Sequence, residues 1–585
     1  MALTVHVHTE AKAQLVFICT SKLPVVEFQA SNERSPAKTP GDDPFEERAL
    51  VYTLGGVLLA TADDNSGHSG LASLTQPPRA CQAALSVLGM AGEVTEPCYG
   101  QWVYKDGKSG SCPAFLYSHI HKTLPPLFRF SRFAAIMKLS LVAALGAATL
   151  VTSRTIKTAN HVAMERLMDM KVTSREKLRN DGYFAAGKWK STNEATACTN
   201  GKAGEYSCNG VDLQAFASHE DLGSKTKEGN DIWGWTSEDG REFAAVGQTD
   251  GTAFVEVTTD GQIKYLGRLP TQTEDSIWRD MKVIDGYVYI GSEAPGHGLQ
   301  VFDLRKLLTV TEPIVFDIKK DLTAWFEGFG SSHNIVSHEE TNMIYAVGTA
   351  RSTSCKGGLF MVDVSDPAKP TSPGCASEDG YVHDAQCVIY KGPDSQYNGK
   401  EVCFNYNEDT LTIVDVTDKS APKQISTTPY AGSSYTHQGW IVDPENMAYL
   451  LLDDELDEKD KTGEAANGHT TTYIFDVSTL AKPAYKGLYQ SPVKSIDHNQ
   501  YIIDGLSYQS NYGSGLRIVD VSSVAQDPTG KGFKEVGFFD CHPEDDAVGG
   551  EVEFFGSWSV YPYFKSGYIL LNSIERGLYS LKRSA

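Results

Sequence analysis

Apolar and polar positions along this chain fall into a repeat. A seven-residue apolar stretch occurs seven times: GTAFVEV at 251–257, GLQVFDL at 298–304, GLFMVDV at 358–364, TLTIVDV at 410–416, TTYIFDV at 471–477, GLRIVDV at 515–521 and GLYSLKR at 577–583. Successive copies start 47, 60, 52, 61, 44 and 62 residues apart. They are rich in β-branched and aromatic residues, which suit a pleated, half-buried strand. Several run into turn residues, as at Ser365-Asp366-Pro367 and Thr417-Asp418. One strand at so regular an interval is the signature of a propeller or a related array.

A second ladder runs in step with the first. Before most copies a Trp or His opens another apolar run: Trp233, Trp278, His333, His383, His437, His498 and Trp558. Each is followed by a strand such as MKVID, a turn, and a second strand such as GYVYIGS. The recurrent strand comes next, then a polar turn and a fourth strand such as KYLGRLP or KEVGFFD. Four antiparallel strands per unit make a propeller blade. The last unit ends without a fourth strand, and VDLQAFASH at 211–219 reads as the missing one, closing the ring and protecting its edge. The expected fold is all-β: a seven-bladed β-propeller of four-stranded antiparallel blades over 198–585, closed by an N-terminal strand and preceded by a short helical region.

That region, 154–197, holds HVAMERLMDMKVTSREKLR at 161–179, with apolar residues at Val162, Leu167, Met168, Met170 and Val172. The spacing predicts an imperfect amphipathic helix, either a pro-region or a helix packed on the propeller. Ahead of it, MKLSLVAALGAATLVTS at 137–153 has the composition of a secretory signal peptide and is too short for a comfortable transmembrane span. The expectation is a signal starting at Met137, an extracellular mature protein and no stable membrane insertion once the signal is removed. Residues 1–136 show no period and no repeat, and read as an unstructured extension, a gene-model artefact upstream of the true start.

Charge sharpens this picture. The chain carries 52 Lys+Arg and 74 Asp+Glu, a net −22. Residues 1–153 hold 12 of each, leaving 40 and 62 in 154–585, so the whole excess lies in that part of the chain. A strongly acidic propeller argues against nucleic acid as a partner. Cysteine usage fits export. Cys198 and Cys208 flank a Gly-rich loop, Cys387 and Cys403 are equidistant from a hairpin tip near Ser395, and Cys355 and Cys375 bracket a recurrent strand. Three bridges in that arrangement leave Cys541 free; the competing reading is buried free thiols.

Candidate chemistry collects at one rim. The first strand of a blade lines the central channel, so the ladder residues ring one mouth. Their followers are mostly polar: Arg279 and Asp280, Asn334, Asp384, Gln438, Asn499 and Ser559. Loops between second and third strands bring Glu293, Glu408, Asp453-Asp454-Glu455 and Glu575-Arg576 to the same face. The candidate ligand-binding set is Trp233, Trp278, Asp280, His333, His383, Asp384, His437, His498 and Trp558. The four His suit zinc or copper, so a divalent metal on His333, His383, His437 and His498 is one reading. Interchangeable packing fixtures are the other, because Trp replaces His at three of the seven positions. No cofactor is called for by any motif. The acidic run DDELDEKD at 453–460 does not match the calcium-loop spacing and reads as a solvated loop.

Several segments in order resemble the choice-of-anchor B family, whose recurrent strand is the LVIVD repeat. They include NDIWGWTSEDGREFAAVGQTDGTAFVEVT, SIWRDMKVIDGYVYIGSEAPGHGLQVFDL, YTHQGW, LLDDELDE, IDHNQY and the closing GSWSVYPYF and IERGLYSL. The likeness runs from about Cys198 to Leu581, and is to a fungal-type secreted member of the kind sometimes labelled regulatory P domain-containing. It implies export. Bacterial members are held at the surface by varied C-terminal anchors, whereas this chain stops at Ser584-Ala585 with no hydrophobic tail, which implies release. The family's His-Asp, His-Gln-Gly-Trp and Asp-His-Asn motifs match His383-Asp384, His437 to Trp440 and Asp497 to Asn499. It has no settled activity to carry over. The expected function is a secreted or cell-surface binding protein that holds a carbohydrate or peptide ligand in the propeller mouth. The alternatives are a hydrolase or lyase, metal-assisted or not, using His and Asp at that mouth, and an interaction scaffold with no pocket.

Overall fold

The computed structural model describes residues 163–584 throughout, and before them only the backbone pairing of short strands between residues 3 and 110. Met1–Phe128 is a separate unit in which a sheet of five strands, from Leu3–His8 to Val57–Ala60, pairs antiparallel in sequence order, and Trp102–Val103 pairs with Ser109–Gly110. The extension expected over 1–136 and the signal-like segment over 137–153 otherwise fall outside the described residues.

Within the described residues seven sheets form the blades of a β-propeller. Their inner strands are Gly229–Thr236, Arg279–Ile284, Asn334–His338, Asp384–Ile389, Thr436–Ile441, Asn499–Ile503 and Ser557–Tyr561, in blades I to VII. The recurrent apolar stretch is the third strand each time, for example Leu359–Asp363 in blade III and Leu516–Asp520 in blade VI. Its final Asp has a local job. The carboxylates of Asp303, Asp363, Asp415, Asp476 and Asp520 each accept the backbone N–H two residues on, at 2.9–3.1 Å. Such a side chain–backbone bond mimics a turn and sends the chain toward the fourth strand.

The ring closes as expected. Val211–Ser218 pairs antiparallel with Gly577–Arg583, from Val211 opposite Arg583 to Ser218 opposite Gly577. Two blades gain further cover. Ile314–Val315 adds a parallel strand outside Ile263–Pro270, and Tyr206–Asn209 with Lys202–Ala203 extends blade VI. These additions shield outer edges that would otherwise offer unpaired backbone. Apolar side chains pack between neighbouring blades: Phe254, Phe302 and Phe316 stack between blades I and II, and Tyr406, Leu452 and Phe475 lie between blades IV and V.

Disulfides join Cys198 to Cys208, Cys355 to Cys375 and Cys387 to Cys403, and Cys541 is a buried free thiol. Cys387 and Cys403 are directly opposed across two strands. No helix among the described residues is long and apolar enough to cross a membrane.

The acidic run differs from its expectation. Asp453, Asp454, Glu455, Asp457 and Glu458 are all buried rather than solvated. Each finds a donor. Asp454 accepts from Tyr430 and from the backbone of Ser434 and Tyr435, Asp457 from Tyr473, and Glu458 from the backbone of Thr471. Carboxyls so supplied with hydrogen bonds tolerate burial that an unpartnered group would not.

Candidate functional site

The ladder residues sit where inner strands begin, and six of the seven converge. His333, His383, His437 and His498 form a continuous arc, with successive ring centroids 4.3, 4.2 and 4.5 Å apart. Trp558 continues the arc 5.0 Å from His498, and Trp278 lies 6.2 Å from His333. Trp233 is elsewhere. A bulge between Gly229 and Ile232 puts Asn230 at the ladder position of blade I, matching bulges that place His437 and Trp558. Trp233 lies three residues farther along its strand, toward the other mouth.

The histidine mouth is closed. The helix over 163–180 lies across it, turning Met164, Leu167, Lys171, Arg175 and Leu178 inward at helical spacing. This face differs from the apolar set read in the sequence: Val172 is exposed, and two cations take its place. Met164 receives a hydrogen bond from Tyr435 at 2.8 Å, and Leu167 and Leu178 join Tyr381, Tyr512, Phe554 and Trp558 in one cluster. Arg175 meets Glu228 at 3.1 Å and donates to the carbonyl of Phe554 at 2.9 Å. Lys171 reaches down to Glu455, Nζ to Oε1 2.6 Å, and lies 4.9 Å from the centroid of Trp558. The helix is therefore packed on the propeller and covers this mouth.

Below the helix each imidazole is oriented through Nδ1. In His383 it faces the carbonyl of His437 at 2.8 Å, in His498 the carbonyl of Trp558 at 2.6 Å, in His437 Asp453 at 3.1 Å and in His333 Glu293 at 2.5 Å. A carbonyl only accepts, so His383 and His498 carry their proton on Nδ1 and a lone pair on Nε2. Burial drives all four imidazoles well below their ordinary pKa, aided by the charge of Lys171, and they are neutral. Burial also lifts Glu293 to about 8 and raises Glu455 against the pull of Lys171.

Deeper in the channel lies a small polar chamber, and beyond it a wide funnel. Asp384, Lys282 and Tyr501 line both. Lys282 sits 2.8 Å from Asp280 and 3.2 Å from Asp231. Burial opposes its charge, but Asp231, Asp280 and Asp384 outweigh that and hold the ammonium above the usual lysine value. One ammonium does not balance the two buried carboxyls and half-buried Asp384. Burial lifts Asp384 to about 7 and Asp280 well above the carboxylate range.

The funnel encloses about 1140 Å³ on the face opposite the helix. Its wall is a second ladder, three residues beyond the first: Trp233 after Asn230, Trp440 after His437, Tyr501 after His498 and Tyr561 after Trp558. Edge-to-face contacts link Trp233 to Tyr501 and Tyr561 at 5.5 and 5.4 Å, and Trp440 to Tyr501 at 5.0 Å. Gln386 and Gln438 add amides, and Lys282 rests 4.6 Å from the centroid of Trp233.

Residues 354–374, which span the recurrent strand of blade III, match the LVIVD repeat family. The chain is a seven-bladed β-propeller that carries a stretch matching the LVIVD repeat. Among curated proteins nothing matches it. In this propeller the recurrent strand is the third of each blade, and the inner strands line the channel. Of the nine residues expected to bind ligand, six form the closed ring, Asp280 and Asp384 lie inside the channel, and Trp233 lines the funnel. Trp440, Tyr501, Tyr561 and Lys282 were not among them. Their signal was the aromatic three residues after a ladder residue, present in His-Gln-Gly-Trp at 437–440 and His-Asn-Gln-Tyr at 498–501.

Proposed function

We propose that this LVIVD propeller is an exported binding protein of the choice-of-anchor B type, and that its ligand enters the funnel rather than the histidine mouth. The observation that carries this reading is the aromatic ladder around an open funnel floored by Asp384 and Lys282. Rigid aromatic faces beside amides, carboxyls and an ammonium suit a carbohydrate, whose apolar ring faces stack while its hydroxyls hydrogen-bond. Three disulfides are compatible with an oxidising compartment. A catalytic reading on the four His is not favoured, since the 163–180 helix covers them and holds their carboxylate partner.

The test is a binding screen of the full chain on immobilised oligosaccharides and, in parallel, on peptides. The expected result is retention on one or more oligosaccharides, lost in Trp233→Ala and Trp440→Ala under conditions where both variants remain folded. Retention on peptides alone would move the ligand class. Absence of binding to either, or binding indifferent to both variants, would remove the funnel as the site.

A further inference from the structure

Three imidazoles and a carboxylate face one another under the helix in an arrangement that carries a second inference, independent of the funnel. His383 and His498 each donate from Nδ1 to a backbone carbonyl, and His437 faces Asp453 through the same atom. That leaves Nε2 of all three pointing inward. Nε2 of His383 is fully buried without a hydrogen-bond partner. Nε2 of His498 is 3.6 Å from Glu455 Oε1, and Nε2 of His437 is 3.8 Å from Glu455 Oε2, itself a buried oxygen without a hydrogen-bond partner. Ligand atoms of His383, His437 and Glu455 all lie within 4.8 Å of one another. An imidazole anchored through one nitrogen by a carbonyl or carboxylate, with the other nitrogen free, is the habit of a metal ligand.

The position a metal would take is contested by a cation of the chain itself. Lys171 descends from the helix and pairs with Glu455 at 2.6 Å. The Glu455 oxygens stand 3.6 and 3.8 Å from the two imidazole nitrogens, a little wider than the roughly 3.3 Å between neighbouring ligands bound at about 2.0 Å to tetrahedral zinc, so a metal would draw the set slightly inward. We propose that His383, His437, His498 and Glu455 make a masked site for a divalent metal of the zinc class, and that Lys171 masks it by filling the cation position. The helix then acts as a plug with an intramolecular cation in place of the metal. Withdrawing the helix or the ammonium exposes three imidazole lone pairs and one carboxylate, a set that suits tetrahedral zinc.

Lys171→Met tests this in the full chain, because it keeps most of the stem and removes the ammonium. Wild type is expected to bind neither zinc nor cobalt(II) at the ring. The variant is expected to lose thermal stability, since Glu455 is left buried without its cation. It should then bind about one equivalent of cobalt(II) with tetrahedral visible absorption, and recover stability with zinc. Adding His383→Ala should weaken that binding by about 100-fold. A variant that unfolds without metal and folds with zinc supports the proposal. Lys171→Met/Glu455→Gln removes both buried charges together and protects the fold, and its three imidazoles should still bind cobalt(II), more weakly. No cobalt(II) binding by either variant, or equal binding by wild type, would overturn the proposal and leave Lys171–Glu455 as a purely structural ion pair.

Discussion

Asp384 shows how a single residue links the channel to pH. Its carboxyl titrates near 7, because burial penalises its charge more than Lys282 offsets it. A raised carboxyl pKa means the folded state holds a proton that the unfolded state has released. Wild type therefore loses this contribution to stability as pH rises from 3.8, the ordinary value, to about 7. Asp384→Asn has no proton to release. Its stability relative to wild type should grow across that window and level off above it, as measured by chemical denaturation at a series of pH values. A difference that stays flat, or shrinks with pH, would contradict the burial of this group. The ring histidines give a second prediction at this scale. His383 and His437 are 1% exposed and bonded through Nδ1. Replacing either with Ala should cost about 2 kcal/mol or more, through lost packing and an orphaned partner. A cost near zero in denaturant titration would mean that the ring is looser than its geometry.

At the scale of elements, the 163–180 helix decides which mouth is open. Its helical character follows from the stretch between Ala163 and Asn180, free of Gly and Pro. Its docked face did not follow from apolar spacing, because Lys171 and Arg175 count as polar until Glu455 and Glu228 are placed beneath them. The same limit hid the burial of Asp454, Asp457 and Glu458, whose donors come from residues 430–435 and 471–473. By contrast, the recurrent strands and the pairing of 211–218 with 577–583 were legible, since both rest on local alternation and a repeat that leaves one strand over. Trp233 shows the boundary between these cases. Its aromatic character matched the ladder, but a bulge after Gly229 shifts the register, and a strand bulge leaves no mark in hydropathy. The helix should behave as part of the core. Its amides around Leu167 and Lys171 should exchange with solvent about as slowly as those of the inner strands, and Leu167→Ala should cost about 2–5 kcal/mol of docking. Fast exchange confined to 163–180 would show instead a plug that opens readily.

For the whole molecule, closure and asymmetry matter most. Seven blades meet through a seam made by the two ends of the propeller chain, so deleting Gly577–Arg583 should expose the edges of 211–218 and 568–573 together. Such edges pair with other chains, and the truncated protein should oligomerise in light scattering while the full chain does not. Asymmetry between the mouths is the central claim: one is sealed by a helix over four neutral imidazoles, and the other is an aromatic funnel open to ligand. The most direct measurement compares oligosaccharide retention by the full chain, Trp440→Ala and His437→Ala, side by side under conditions where all three are folded. Trp440→Ala should abolish retention, while His437→Ala should keep it despite its lower stability. Loss in His437→Ala with retention in Trp440→Ala would place the ligand at the histidine mouth and overturn the funnel as the binding site.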